Sequence, residues 1–436
     1  MSDYIFMLES HLSTEQNRVV GELQIAAGEA NVNVFLTGGA MRDMLAGFRI
    51  RDLDFAIEGS ALKVAKTVAE RAGAKILSVD ENRRSVELLF PSGVTAEIAM
   101  SRQEKHGRTG TKPQISPATI QEDLRGRDFT CNAIALSLNK ASRGLLLDPM
   151  NGLADIERRE LRLTNPYGFY DDPSRLLRLV RMTHRLGFTV EERTRMQVAN
   201  AREAEVEKLI PPRAFSEELK RIAAEDNPAE IVAALDEAGL LKLFSPVLSG
   251  SKLNSSGLAR LEKLARLLPD EPRFRAARFG PFLCALTEKL TPKEKLALIK
   301  STDMRKSEAD LWIKQEARAR KLESALRSQR LRKASQVYFL LAGAAPDEVL
   351  YLLYHSSLKP VQERLRNYFQ KYLPAVQEIS PEEWAAVEAR PAPRRAKARE
   401  ELIANRLDRR IRKPAPEPPV VPPPPVVEGI AARRLR

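Results

Sequence analysis

The sequence predicts an α+β protein: a small mixed-sheet head, then an all-helical neck and body, then a basic, proline-rich tail. Three observations carry this. Short apolar or alternating runs broken by Gly, Asn and Pro fill residues 32–160, the pattern of one sheet with a few covering helices. From about residue 171 the apolar period becomes helical and stays so, as in IVAALDEAGLLKLF (231–244). From Arg390 onward 13 Arg and Lys face 5 Asp and Glu, and ten prolines share the stretch. Prolines that dense cannot supply backbone donors to helix or sheet, so this tail is expected to be extended or disordered.

In chain order, residues 1–30 read as a helical lead-in and 31–165 as the head. Residues 166–225 read as a helical neck, 226–385 as a helical body suited to RNA, and 386–436 as the disordered tail. Expected strands of the head lie at 32–37, 50–57, 85–90, 94–100, 133–138 and 144–147, with a helix at 60–71 between two of them. The polar stretch SRQEKHGRTGTKP (101–113) reads as a mobile loop.

Composition narrows the chemistry. Among 436 residues, 71 Lys and Arg exceed 58 Asp and Glu, a net charge of +13. That excess favours a polyanionic partner. Two cysteines and four scattered histidines exclude a disulfide framework, a cysteine-rich zinc site and an HExxH motif. No apolar run approaches a membrane span, so no membrane partner is expected. The N-terminal MSDYIFMLES lacks a basic n-region. The expected compartment is the cytoplasm.

The most informative segment is FLTGGAMRDMLAGFRIRDLDFAIEG (35–59). A strand ends at Gly38-Gly39 and a helix begins at once. The glycines let backbone approach a ligand, and the new helix offers unpaired N–H groups to an anion. Arg42 in its first turn adds a positive fork. On the following strand Asp52 and Asp54 share one face while Leu53, Phe55 and Ile57 share the other. Two carboxylates that close call for a cation. Hard oxygen ligands suit Mg²⁺, which completes its shell with phosphates and water. In VTAEIAM (94–100), Glu97 points away from Val94, Ala96, Ile98 and Met100 and is a third candidate acid.

DDPSRLLRLVRMTHRLGF (171–188) reads as a helix with Pro173 in its first turn and Asp171 or Asp172 near the N-cap. Leu176, Leu177, Val180, Thr183 and Gly187 fall on one arc. Arg175, Arg178, Arg181 and Arg185 fall opposite, where they can meet phosphates. A carboxylate can accept from cytosine N4 or adenine N6, and a guanidinium can donate to ring nitrogen, so an Asp–Arg pair would take C and A and reject U and G.

These residues resemble the nucleotidyltransferases that add CCA to tRNA 3′ ends and their relatives the bacterial poly(A) polymerases, class II of the polymerase-β-like superfamily. GGAMRDMLAGFRIRDLDF (38–55) is similar to their GGxVRD…DxD motif, with Met41 for the usual Val. RGRDFTCNAIAL (125–136) is similar to RRDFTINAxA, with Gly126 for the first Arg and Cys131 for Ile. DPMNGLADI (148–156), 171–188 (Asp171 for the usual Glu) and PPRAFSEELKRI (211–222) follow in the family's order.

The resemblance implies a polymerase-β-like head in which Gly38, Gly39 and Arg42 cradle a triphosphate. Asp52 and Asp54 hold the metal; Arg127, Asp128 and Asn132 contact ribose and phosphates; Asp172 and Arg175 read the base, with Arg178 and Arg181 beside them. Glu97 is kept as a catalytic candidate. The implied activity is template-independent addition of CCA, or of CC or A alone, to tRNA or another RNA 3′ end from CTP and ATP, with Mg²⁺. A poly(A) polymerase and a non-catalytic RNA-binding protein on the same scaffold are the alternatives. Cys131 is expected in the core, and the Arg–Asp of RDFT could instead be a buried pair in the head that orients the site without touching ligand.

Overall fold

The computed structural model describes residues 3–408 apart from 108, 110–112 and 270. Two helices lead in, α1 (Asp3–His11) and α2 (Thr14–Glu29); Ser13 and Gln16 form a capping box at the start of α2. The head follows as β1 (Asn33–Thr37), α3 (Gly38–Leu45), β2 (Leu53–Glu58), α4 (Ala61–Ala72), β3 (Lys75–Asp80), β4 (Ser85–Leu89) and β5 (Thr95–Met100). After these come β6 (Arg102–Lys105), β7 (Gln114–Pro117), α5 (Ile120–Arg125), β8 (Ala135–Ser137), β9 (Leu146–Leu147) and α6 (Gly152–Arg158).

One seven-stranded sheet runs in the order β3-β4-β5-β2-β1-β8-β9. Only the β2–β5 pair is parallel, and it sets Asp54 beside Glu97. Strand alternation divides the sheet's faces. Val34, Leu36, Leu53, Phe55, Ile57, Ala96 and Ile98 join the large core with α2 and α4. Phe35, Ala56 and Ala135 face the other way, against Ile120 and Leu124 of α5. Asp54 shares that second face.

Next come α7 (Gly168–Asp171), α8 (Arg175–Leu186), α9 (Glu192–Glu203), α10 (Pro212–Ala224) and α11 (Pro228–Glu237). The helix α8 belongs to two cores: Leu176, Leu179, Met182 and Leu186 pack into the head, while Leu177 packs into the helical body with Phe215, Leu219 and Ile231. Burial on both sides fixes its rotation about its own axis.

The chain forms two compact units, residues 1–327 with 344–365, and residues 328–343 with 366–436. The described part of the second unit is helical. Within it the helix Ala392–Asp408 is held at its end by Asp408, whose carboxylate accepts from Ser335 N at 2.9 Å and Ser335 Oγ at 2.7 Å.

Two expectations need correction. The tail does not begin at 386: Pro381–Glu388 and Ala392–Asp408 are helices. Pro391 and Pro393 stand at or before the first helical turn, where proline is tolerated, and no further proline interrupts the chain until Pro414. The dense proline run itself lies outside the described residues. Second, the expected loop at 101–113 begins as a strand: β6 lies within it and pairs with β7 just after it, in register Arg102↔Pro117 to Lys105↔Gln114. No residue of either strand is buried, so no apolar alternation marks them. The strand β3 went unpredicted for the same reason, since all six of its residues are exposed.

Candidate active site

The turn between β1 and α3 is built by glycine. Gly38 has φ +62°, a conformation that side chains disfavour, and a Cβ there would lie 3.4 Å from Asp54 Oδ2. A Cβ on Gly39 would lie 3.3 Å from the same oxygen. The glycine turn therefore sits directly over Asp54, and the N-terminal N–H groups of α3 open beside a carboxylate.

Asp52 lies just before β2, and its Oδ1 accepts from Thr95 Oγ1 at 3.1 Å. Asp54 is partly buried, Asp52 and Glu97 are exposed. Burial first, and then the charges of Glu97 and Asp52, push the Asp54 carboxyl up to about 7. Arg127 and Arg42 pull the other way without prevailing. A carboxyl so disfavoured as an anion is a place where a divalent cation is welcome. Among the described residues no cluster of three His, Cys, Asp or Glu holds a metal unaided. The donor set fits Mg²⁺, which takes one or two carboxylates and leaves positions for substrate phosphates.

The expected ligands converge. Twelve of the thirteen candidate residues line one cleft of about 430 Å³, which runs from Gly38 past Asp54 and Asp128 to Arg175 and Arg181. Glu97 is the exception; it stays beside Asp54 through the strand register.

Hydrogen bonds order the cleft wall. Arg42 Nε and Nη2 donate to Asp43 Oδ1 at 2.9 and 2.6 Å, and Nη1 donates to Asn132 Oδ1 at 2.7 Å. Asn132 Nδ2 donates to Asp128 Oδ1 at 2.9 Å, and Asp128 Oδ2 accepts from Arg178 Nη1 at 2.6 Å. The Arg–Asp of RDFT do not pair with each other: Asp128 pairs with Arg178, and Arg127 with Asp123. Burial works against its charge, but Arg178, Arg175 and Asn132 hold the carboxyl far below the usual range. Arg127 donates through Nε to Asp123 Oδ1 at 2.6 Å, which leaves the rest of its fork toward the glycine turn.

Just before α8, Asp172 Oδ1 accepts from Ser174 N at 3.0 Å and Ser174 Oγ at 2.6 Å. The N-cap is Ser174 and not Asp171 or Asp172 as expected, so Asp172 braces the entry to the helix without capping it. Its Oδ2 stands 3.9 Å from Arg178 Nη2. Arg175 is 5% exposed, with Nη2 donating to Gly126 O at 3.3 Å. Its Nε and Nη1 are buried with no partner among the described residues. Arg181 is committed elsewhere: Nε donates to Glu218 at 2.6 Å and Nη1 to Glu225 at 2.9 Å. Its guanidinium orients α8 and is not available as a fork for phosphate.

Sequence reasoning missed Asp43, Glu218 and Glu225. Asp43 lies inside the first motif. Glu218 lies on the buried face of α10, marked by Phe215, Leu219 and Ile222, and Glu225 is the buried residue that ends the helix. Acids on such a face signal buried partners. Cys131 is wholly buried, and burial raises its thiol to about 12.

Comparison with known proteins fits this geometry. Residues 34–162 match the Poly A polymerase head domain. The A-adding tRNA nucleotidyltransferase of Geobacter sulfurreducens is 26% identical over 381 residues, 85% of this chain and 42% of that protein. The CC-adding tRNA nucleotidyltransferase of Deinococcus radiodurans is 32% identical over 230 residues, 53% of this chain and 60% of that one. The chain therefore spans less than two thirds of either relative. A solved CCA-adding enzyme in an apo form superposes with a TM-score of 0.53 at 24% identity, over 92% of this chain and 94% of that one, a likeness of fold. Residues 34–162 thus form a Poly A polymerase head domain, and the chain is similar in sequence to the tRNA nucleotidyltransferases named above.

Proposed function

We propose that the protein is a template-independent RNA nucleotidyltransferase that adds CCA, or part of it, to tRNA 3′ ends from CTP and ATP. The observation that carries this reading is Arg175: a guanidinium 5% exposed, with two donor atoms unfilled, three residues from Asp172 in the cleft that holds Asp52 and Asp54. Buried donors without partners await a ligand. A base edge with a ring acceptor and an exocyclic amino group would satisfy both Arg175 and Asp172 Oδ2, and cytosine and adenine share that pattern.

Asp52 and Asp54 would hold Mg²⁺, which when bound neutralises triphosphate charge and favours attack by an RNA 3′-hydroxyl on the α-phosphate, with pyrophosphate leaving. The chain's own groups do the positioning. The N–H groups at Gly38 and Gly39 bind phosphate oxygens. Arg127 adds charge from the side. Asp128 and Asn132, locked by Arg178 and Arg42, present a fixed polar edge to the ribose. Glu97 raises the demand for a cation at Asp54. The excess of basic residues holds the acceptor RNA by its backbone. No single described helix is long and apolar enough to cross a membrane, and the expected setting is the cytoplasm.

The test is incorporation of labelled CTP and ATP, with and without Mg²⁺, into tRNA transcripts lacking all three terminal nucleotides or only the last, beside an unrelated oligo(A). Incorporation into the tRNA transcripts alone is expected. Extension of oligo(A) would favour the poly(A) polymerase reading, which the head-domain match keeps in play. No incorporation into any RNA would leave an RNA-binding role on the same scaffold.

A further inference from the structure

We infer that Glu225 is a positioning residue that couples the metal-bearing strand to the base-reading helix; this rests on the function proposed above. Glu225 follows α10 directly and is 4% exposed. Its Oε2 accepts from Arg51 Nη1 at 2.8 Å and lies 3.6 Å from Arg185 Nε, and its Oε1 accepts from Arg181 Nη1 at 2.9 Å. The three guanidiniums come from elements with separate tasks. Arg51 immediately precedes Asp52, whereas Arg181 and Arg185 lie within three turns of Arg175 along α8.

The path continues to the glycine turn. Arg185 Nη2 donates to Asp43 Oδ2 at 2.8 Å, and Asp43 holds Arg42 through its other oxygen. One line of ion pairs thus joins Arg42 beside the phosphate cradle, Asp43, Arg185, Glu225 and Arg51 at the metal strand. Every link but Arg42–Asp43 joins elements distant in sequence.

A carboxylate buried among three guanidiniums is no economical route to stability, because desolvation consumes much of the Coulomb gain and apolar packing would serve as well. What such a hub supplies is geometry. The α-phosphate must meet the metal while the base meets Arg175, and an error of about 1 Å between the two costs about 100-fold in rate. Asp226 offers a contrast: it also accepts from Arg51, at 2.7 Å, but its side chain is 74% exposed and touches neither Arg181 nor Arg185.

The experiment uses the full chain and compares wild type, Glu225→Gln, Glu225→Asp, Arg51→Gln, the Glu225→Gln/Arg51→Gln double variant and Asp226→Ala. Steady-state CTP incorporation into a tRNA transcript, UTP incorporation, thermal midpoint and amide hydrogen exchange without ligands are measured for each. Glu225→Gln is expected to lower kcat about 10- to 100-fold, with KM for CTP changed less than about 3-fold and the CTP-over-UTP preference reduced about 10-fold. Glu225→Asp recovers part of the loss, and Asp226→Ala behaves as wild type. The double variant is no worse in kcat than Glu225→Gln alone, because both break one link. Exchange rises together in residues 51–54 and 175–178.

A lowered midpoint with kcat and preference intact, or exchange rising in one segment only, would overturn the coupling. Should Glu225→Gln fail to fold, Arg51→Gln carries the same two readouts. If wild type itself incorporates nothing, the proposed function falls, and the paired exchange measurement alone decides whether Glu225 couples the two segments.

Discussion

Replacing Asp54 by Asn should stabilise the metal-free protein while abolishing nucleotide transfer. The Asp54 carboxyl stands at about 7 in the folded chain, against about 3.9 in an unfolded one. The sign follows from proton counts. Between those values the folded state keeps a proton that the unfolded state has lost, so stability falls as pH rises, by about 1.4 kcal/mol per unit, until Asp54 itself ionises near pH 7. From pH 5 to pH 8 the loss is about 2 kcal/mol once solvent screening at the partly open cleft is counted. The Asp54→Asn variant, with no proton to lose at this position, would show no such dependence.

Thermal unfolding of wild type and Asp54→Asn in EDTA across pH 5–8 should therefore show a gap that widens with pH in favour of the variant. Mg²⁺ should narrow it, since the cation stabilises the ionised carboxylate of wild type only. A gap independent of pH, or a variant less stable than wild type at pH 8, would refute the assignment of Asp54 as a carboxylate strained by its neighbours.

Other outcomes follow from single contacts. Arg175→Ala should keep the fold and lose discrimination between CTP and UTP, read as the ratio of their kcat/KM values, because among the described residues its guanidinium makes one long hydrogen bond, to Gly126 O. Asp128→Asn should cost about 1–3 kcal/mol in urea unfolding, since it leaves the Arg178 guanidinium only the 3.9 Å contact with Asp172. Gly152→Ala should destabilise by a similar amount: a Cβ there would fall 2.1 Å from Thr130 O, and backbone on both sides must shift. Binding of a tRNA transcript should weaken steeply between 50 and 200 mM salt, as it does when several phosphates are neutralised at about one counterion each.

The sequence made the strand of Asp52 and Asp54 legible because its information is local. Alternation along residues 52–57 states which side chains share a face, and two glycines before a helix state where an anion can sit. The core of the sheet was readable for the same reason, but the division of α8 was not. Leu179, Met182 and Leu186, which pack into the head, lie outside the arc of Leu176, Leu177, Val180, Thr183 and Gly187, and Arg175 and Arg181 on the opposite side are buried. Nor was it legible what the arginines do. Arg178, Arg181 and Arg185 look alike in a helical projection, yet each meets a different set of acids from distant segments: Asp128, Glu218 with Glu225, and Asp43 with Glu225. Such pairing has no period. The strands β3, β6 and β7 were hidden by another cause, an exposed position that removes the burial on which alternation depends. Asp172 carries two contacts at once, since one oxygen holds the N-cap residue Ser174 and the other stands near Arg178.

The sealed position of Cys131 makes it a built-in gauge of breathing in the head. With its sulfur wholly enclosed and reluctant to lose its proton, alkylating reagents can reach it only when the packing around the Arg42–Asn132 contact comes apart. The labelling rate of this one thiol, followed as nucleotide is added, would time the opening and shutting of the cleft floor without any dye or engineered reporter.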